Sequence, residues 1–180
     1  MSGTKIGRWA WTAAMAVLGV VFGSQAGLLH GDGLVPYRGV VEGVLLIDAT
    51  GAVTAPPATK TSSYLGRGIQ VYDEFEVFPT EVGLRGVGRS RSIAANGDEL
   101  CIAFVIEGRF TKTGDLIYVG DYTILCDGTG RFEYDPAISD LGSGRMAGIG
   151  IVTTDPNTWV TQIEFRHVFS GTLRLDKRKK

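Results

Sequence analysis

Residues 84–126, LRGVGRSRSIAANGDELCIAFVIEGRFTKTGDLIYVGDYTILC, decide the fold of this 180-residue chain. Three runs with many β-branched and aromatic residues are separated by Asn96-Gly97-Asp98 and by Lys112-Thr113-Gly114-Asp115. Each separator contains a glycine, which can adopt the positive φ that tight hairpin turns require. The stretch therefore predicts three antiparallel strands joined by two hairpins.

The same alternation of short apolar runs and turn residues continues on both sides of this stretch. No segment after the first 26 residues shows a sustained helical period. The 26 glycines follow no G-X-Y repeat, and 44% of the residues are hydrophobic, which excludes a collagen-like or disordered chain. The sequence predicts an all-β domain at residues 37–175, a single eight-stranded antiparallel β-barrel. The expected strands are 38–47, 63–72, 84–94, 99–110, 116–126, 130–134, 144–153 and 161–175.

The first 26 residues have the layout of a signal peptide. Lys5 and Arg8 precede an uncharged apolar run at 9–23, which is shorter than the ~20 residues that a membrane-spanning helix needs. Small residues at Ser24 and Ala26 predict cleavage after Ala26. We expect a secreted, periplasmic or cell-envelope protein with no stable membrane span after cleavage and a flexible lead-in at 27–36. An uncleaved membrane anchor is the alternative.

The charge is unevenly distributed along the chain. The net charge is -1, but residues 27–175 carry 12 basic and 18 acidic side chains, whereas the segment 176–180 is basic. An acidic body argues against a nucleic-acid-binding surface. The basic C-terminal tail at 176–180 is expected to be solvated, with contact to an anionic lipid or polymer as the alternative.

The two hairpins predict a position for each cysteine. If the turns are centred on Asn96-Gly97 and on Thr113-Gly114, Ser92 lies opposite Cys101, and Cys101 lies opposite Cys126. Exported proteins meet an oxidising compartment, so we expect a Cys101–Cys126 disulfide. Two buried free thiols are the alternative. Two cysteines and two histidines are too few for an expected metal site.

The same register divides the three strands into a face of small residues and a face of bulky ones. Burial of an unpaired arginine is costly, so we expect the small face to point inward. The bulky residues would then form an apolar outer face for homo-oligomerisation. In the alternative arrangement, the bulky face points inward and arginines among aliphatic side chains bind an amphipathic anion such as a fatty acid. The oligomer-face candidates are Leu100, Ile102, Phe104 and Ile106, and the ligand-binding candidates on these strands are Arg89, Arg91, Glu107 and Tyr122.

His167 is the polar exception on the apolar face of the last strand, between Phe165 and Phe169. It is a candidate for ligand binding with these two phenylalanines, and the one weak candidate for a catalytic acid or base. A core histidine satisfied by a backbone carbonyl is the alternative. The sequence contains no nucleophile elbow, P-loop or zinc-protease motif, and no cofactor is expected.

Four short motifs recur in the order known from one family. They are Ser63-Tyr64-Leu65-Gly66-Arg67, Ala94-Ala95-Asn96-Gly97-Asp98-Glu99-Leu100, Asp127-Gly128-Thr129-Gly130-Arg131-Phe132 and Phe169-Ser170-Gly171-Thr172. With them the chain resembles small exported bacterial proteins with an allene oxide cyclase-like (dirigent-like, calycin-type) barrel. The resemblance implies an eight-stranded antiparallel barrel. Tyr64 replaces the usual histidine, and Glu133-Tyr134-Asp135-Pro136 replaces the usual small residues.

These features favour an exported, non-enzymatic β-barrel that binds a small apolar or amphipathic ligand or a protein partner. One alternative is an isomerase or cyclase that acts on a lipid-derived substrate, with His167 or a tyrosine as proton carrier. The other is a structural envelope protein that oligomerises through an apolar outer face.

Overall fold

The computed structural model describes residues 33–175, and the predicted signal peptide, most of the lead-in and the basic tail lie outside this range. The described residues form nine strands and one short 3-10 turn, Gly130–Phe132. No helix within this range is long and apolar enough to span a membrane. The strands are β1 (Leu34–Ile47), β2 (Val53–Thr54), β3 (Ala58–Ser62), β4 (Gly66–Pro79), β5 (Gly83–Ala94), β6 (Glu99–Phe110), β7 (Leu116–Ile124), β8 (Ser143–Thr154) and β9 (Thr161–Arg174).

The strands form one antiparallel sheet that closes into a ring. Each strand from β3 to β8 pairs with the next along the chain, and β1 pairs with β9 over its whole length. The short β2 and β3 share the other edge of β1, so nine strands occupy eight positions around the ring. The predicted all-β, closed antiparallel architecture is confirmed.

Several predicted element boundaries were wrong. The lead-in ends sooner, because β1 already begins at Leu34. Tyr64 has a positive φ of 70°, which places a turn where a strand was predicted, and β4 runs from 66 to 79 instead of 63 to 72. A strand was predicted at 130–134, but residues 130–132 form the 3-10 turn, in which Gly130 has a φ of 60°. The β pairing in this segment is one isolated bridge, between Asp127 and Glu133. β3 was not predicted at all.

Both hairpins contain three-residue loops rather than the expected two-residue turns. The amide of Ala94 donates to the carbonyl of Asp98 (2.9 Å), and that of Thr111 donates to Asp115 (2.7 Å). Gly97 has a φ of 85° and Gly114 a φ of 88°, as expected for three-residue loops with a left-handed glycine. The pairing therefore shifts by one residue in each hairpin.

This shift overturns the predicted disulfide. In the observed register the partner of Cys101 is Leu125, whose amide donates to the carbonyl of Cys101 (2.9 Å). Cys101 is buried, Cys126 is exposed, and both thiols are free.

The shift also reverses the faces of β6, because neighbouring residues in a strand point to opposite sides of the sheet. The four oligomer-face candidates on β6 are all buried in the interior, which contradicts their predicted exposure: Leu100, Ile102, Phe104 and Ile106. On the outer face of β6 and β7, each exposed valine or isoleucine lies opposite a charged residue of the neighbouring strand, as in the pairs Val105–Asp121, Val119–Glu107 and Ile117–Arg109.

Two predicted ligand-binding arginines lie on the outside. Arg89 forms a salt bridge with Asp127. Arg91 forms salt bridges with Asp73 (2.9 Å) and Glu99 (3.4 Å). The bulky side chains of β6 therefore point into the interior while the arginines of β5 point outward, because the two sets lie on opposite sides of the sheet.

One end of the ring is closed by the segment between β7 and β8. The side chain of Phe132 in this segment is fully buried. Arg131 binds Asp98 (Nε to Oδ2, 2.5 Å) and donates to the carbonyl of Tyr64 (3.1 Å), which joins the segment to two turns. Three of the four motifs quoted above thus meet at this closed end, where their role is structural.

Alkylation provides a check on the two thiols. Burial, with a smaller contribution from Asp127, raises the pKa of Cys101 to about 12, whereas Cys126 is exposed. We expect iodoacetamide at pH 8 to label Cys126 at least about a hundredfold faster than Cys101, because the thiolate is the reactive form. Mass spectrometry of peptides without reductant measures both rates. A cross-linked pair or equal labelling of the folded protein would contradict the observed register.

Candidate ligand-binding site

The interior contains an apolar cavity on the side of the ring away from the closed end. Its enclosed volume is about 50 Å³, and the wider space that includes the solvent-open mouth is about 560 Å³. Phe75 and Val77 of β4 are only partly buried and lie at its rim. The lining residues are Leu45, Gln70, Tyr72, Phe75, Val77, Leu84, Phe104, Ile106, Leu116, Tyr118, Met146, Ile163, Phe165 and His167.

The polar floor of this cavity is formed by Tyr118, His167 and Gln70. A hydrogen bond of 3.0 Å joins the Tyr118 hydroxyl to Nδ1 of His167. Gly148 lies on β8 between the strands that carry these two residues, and a Cβ there would come within 2.6 Å of both. The absence of a side chain at Gly148 therefore makes room for the Tyr118–His167 pair.

Both members of this pair are held neutral. Burial, with a smaller contribution from the charge of Lys60, lowers the pKa of His167 to about 3. Burial raises the pKa of Tyr118 well above its usual value. The ring of Phe165 stacks on His167 with an interplanar angle of 8°. The predicted inward position of His167 is correct, but its partner is a tyrosine hydroxyl.

Lys60 is buried deeper in the interior, in a second, smaller pocket. Its Nζ donates to Ser92 Oγ (2.5 Å) and to Gln70 Oε1 (3.2 Å). The same atom lies 4.6 Å from the ring centroid of Phe169, a distance at which a cation is attracted to the π face. Among residues 33–175, no carboxylate forms a salt bridge with Lys60. Burial lowers the pKa of this amine to about 7.

The two pockets share part of their lining. Gln70, Met146 and His167 line both, so the Gln70 and His167 part of the cavity floor also forms a wall of the Lys60 pocket. The interior therefore changes from apolar at the rim to polar and cationic at depth.

The structure brings four of the sequence candidates together and separates three. The interior contains His167, Phe165, Phe169 and Tyr122, whereas the outer surface carries Arg89, Arg91 and Glu107.

Lys60 was missed because β3 was not recognised as a strand. The signal that could have revealed it is the pair of threonines, Thr59 and Thr61, which flank the lysine at strand spacing. They point outward, so Lys60 points inward together with Ala58 and Ser62. Gln70 and Tyr118 were missed because their inward position depends on the register of the closed ring.

His167 makes the stability of the protein sensitive to acid. In the unfolded chain it binds a proton near pH 6.5, but in the folded state only near pH 3. Neutral His167 therefore contributes to the free energy of unfolding fully above pH 6.5, and this contribution is lost as pH falls towards 3. Between pH 7 and pH 4 we expect the wild type to lose about 3 kcal/mol more unfolding free energy than His167→Gln, by urea denaturation. Parallel curves for the two proteins would contradict a buried neutral histidine.

Within the described part of the chain, no group of three or more histidine, cysteine, aspartate or glutamate side chains is arranged to hold a metal ion. No family model matches this chain, and no curated protein or solved structure matches it.

Proposed function

We propose that this protein binds a small, largely apolar molecule in the interior of its closed sheet. The observation that carries the proposal is the apolar cavity, open on one side, with its mainly aliphatic and aromatic lining. Binding sites for small molecules are typically concave and apolar with a few convergent polar groups, which here are Gln70, Tyr118 and His167.

The state of the Tyr118–His167 pair favours binding over proton-transfer catalysis. An effective acid or base has a pKa near the working pH. The lowered pKa of His167 makes it a weak base, and the raised pKa of Tyr118 makes it a weak acid. We therefore place a binding protein ahead of the isomerase or cyclase alternative.

Two features of the sequence, the signal-peptide layout and the motif resemblance, extend this proposal. The signal-peptide layout of residues 1–26 supports a role outside the cytoplasm. The four motifs that resemble those of allene oxide cyclase-like barrels support a ligand of lipid-like chemistry.

Octan-1-ol is a suitable neutral probe of the cavity. We expect it to raise the melting temperature of the wild type, because a ligand that binds only the folded state stabilises it. Val77→Trp, at the rim of the cavity, is expected to weaken the calorimetric affinity for octan-1-ol at least about tenfold by filling the space. Val119→Trp is the matched control, because Val119 is exposed on the outer face of β7.

The control variant should bind octan-1-ol as the wild type does. Failure of octan-1-ol to bind the wild type, or equal weakening by the two tryptophan substitutions, would contradict binding in the interior.

A further inference from the structure

We propose that the ligand is an amphipathic anion, a carboxylate with an acyl chain of medium length, whose head group pairs with Lys60 while its chain occupies the apolar cavity. This inference rests on the proposed function and names the chemical class of its ligand.

The first support is the missing counter-charge at Lys60. The groups that face its amine are Gln70 of β4, Ser92 of β5 and aromatic rings of β1 and β9. The titratable groups lining its pocket are Tyr37, Tyr122 and His167, and none of them carries a negative charge at neutral pH, since burial raises the pKa of both tyrosines and lowers that of His167. A buried cation without an anion is costly, and a ligand carboxylate would supply the missing charge.

The second support is a free hydroxyl in the same pocket. Tyr122 is 3% exposed, and its hydroxyl has no hydrogen-bond partner among residues 33–175. A buried hydroxyl without a partner costs free energy. The hydroxyl lies against Gly144 of β8 and Gly171 of β9. A carboxylate has two oxygen atoms that accept hydrogen bonds, so a head group that pairs with Lys60 keeps a second acceptor for another donor of this pocket.

The third support is the order of the two pockets. The apolar cavity lies between the rim and the shared floor, and the Lys60 pocket lies directly beyond that floor. Along β9, Ile163 and His167 are four residues apart, or about 13 Å of strand. An acyl chain in the cavity would thus direct its head group towards Gln70, His167 and Lys60.

The pairing predicts a dependence of affinity on pH. The amine must be protonated to pair with a carboxylate, and its pKa in the free protein is about 7. Binding above pH 7 therefore requires uptake of a proton, and the affinity for the anion should fall about tenfold for each further pH unit. The other titratable groups in the pocket keep their neutral forms in this range.

Octanoate and octan-1-ol provide the test, because they have the same number of carbon atoms and differ in the head group. Calorimetric titration of the wild type, Lys60→Met and Lys112→Met is carried out at pH 6.5 and 8.5. Lys112 is exposed in the β6–β7 turn, so its variant controls for the general loss of a positive charge.

We expect Lys60→Met to weaken octanoate binding at pH 6.5 at least about tenfold, and to leave octan-1-ol binding within about threefold of the wild type. Lys112→Met should change neither. In the wild type, octanoate affinity should fall at least about tenfold between pH 6.5 and 8.5, whereas octan-1-ol affinity stays constant.

The two proposals fail in different ways. Binding of octan-1-ol together with an octanoate affinity that is insensitive to pH and to Lys60 overturns the anion site and leaves the binding function in place. Absence of binding by both probes overturns both proposals. If Lys60→Met does not fold, the pH dependence of the wild type decides the question alone.

Discussion

Replacement of Lys60 by methionine is expected to make the protein more stable at pH 6, by about 1–3 kcal/mol of unfolding free energy. The reason is that the wild type buries a charged amine without an anionic partner, and an apolar side chain of similar size removes this cost. Part of the gain is lost, because Ser92 and Gln70 lose the donor that now satisfies them.

This difference should shrink and then reverse as pH rises. The folded state releases the proton of Lys60 near pH 7, whereas the unfolded chain holds it up to about pH 10.5. Between these values the unfolded state binds more protons, so the wild type gains stability with rising pH. Relative to Lys60→Met, the gain between pH 6 and pH 9.5 should be about 3 kcal/mol.

Urea denaturation of both proteins at pH 6 and 9.5 measures this effect. Lys112→Met is again the control, because an exposed lysine should show no such difference. A constant gap between the wild type and Lys60→Met across this pH range would mean that Lys60 is not buried as an unpaired amine.

Truncation of Phe132 to alanine is expected to destabilise the protein by about 3–5 kcal/mol, the usual cost of removing a fully buried aromatic ring. Phe132 lies in the 3-10 turn of the segment that closes one end of the ring, and its side chain is fully buried. The turn contributes few backbone hydrogen bonds of its own, and Phe132 is the most deeply buried of the apolar side chains that anchor the segment, with Tyr134 and Leu141 beside it in the core.

Phe110→Ala is the matched control, because Phe110 is 48% exposed at the far end of β6. It should cost no more than about 1 kcal/mol. Thermal and urea denaturation of both variants give the comparison. Similar losses for the two substitutions would contradict the packing of the closed end.

The proposed ligand and the instability at Lys60 are two consequences of the same arrangement. A site that holds an unpaired charge for a ligand is destabilised when empty, as binding sites commonly are. A bound carboxylate would favour the protonated amine and recover this cost. Octanoate should therefore stabilise the wild type more than Lys60→Met, and this difference should be largest below pH 7.

The hairpins show how closely local sequence predicts local structure. The predicted strand 99–110 has the same bounds as β6, and both turns lie where Gly97 and Gly114 predicted them. The error was in loop length, three residues instead of two. Side chains alternate along a strand, so that single residue places Phe104 and the other bulky residues of its face in the core instead of on the outer face. It also separates Cys101 from Cys126.

The sequence by itself determined the all-β class, the antiparallel order and the inward position of His167, since these follow from strand periodicity and turn residues close together in the chain. Only the tertiary structure decided that Lys60 is buried. The inward positions of β3 are alanine, lysine and serine, which carry no apolar signal. Lys60 is enclosed because β1 pairs with β9, and this closure between the two ends of the domain places Phe169 beside a lysine more than a hundred residues away in the chain.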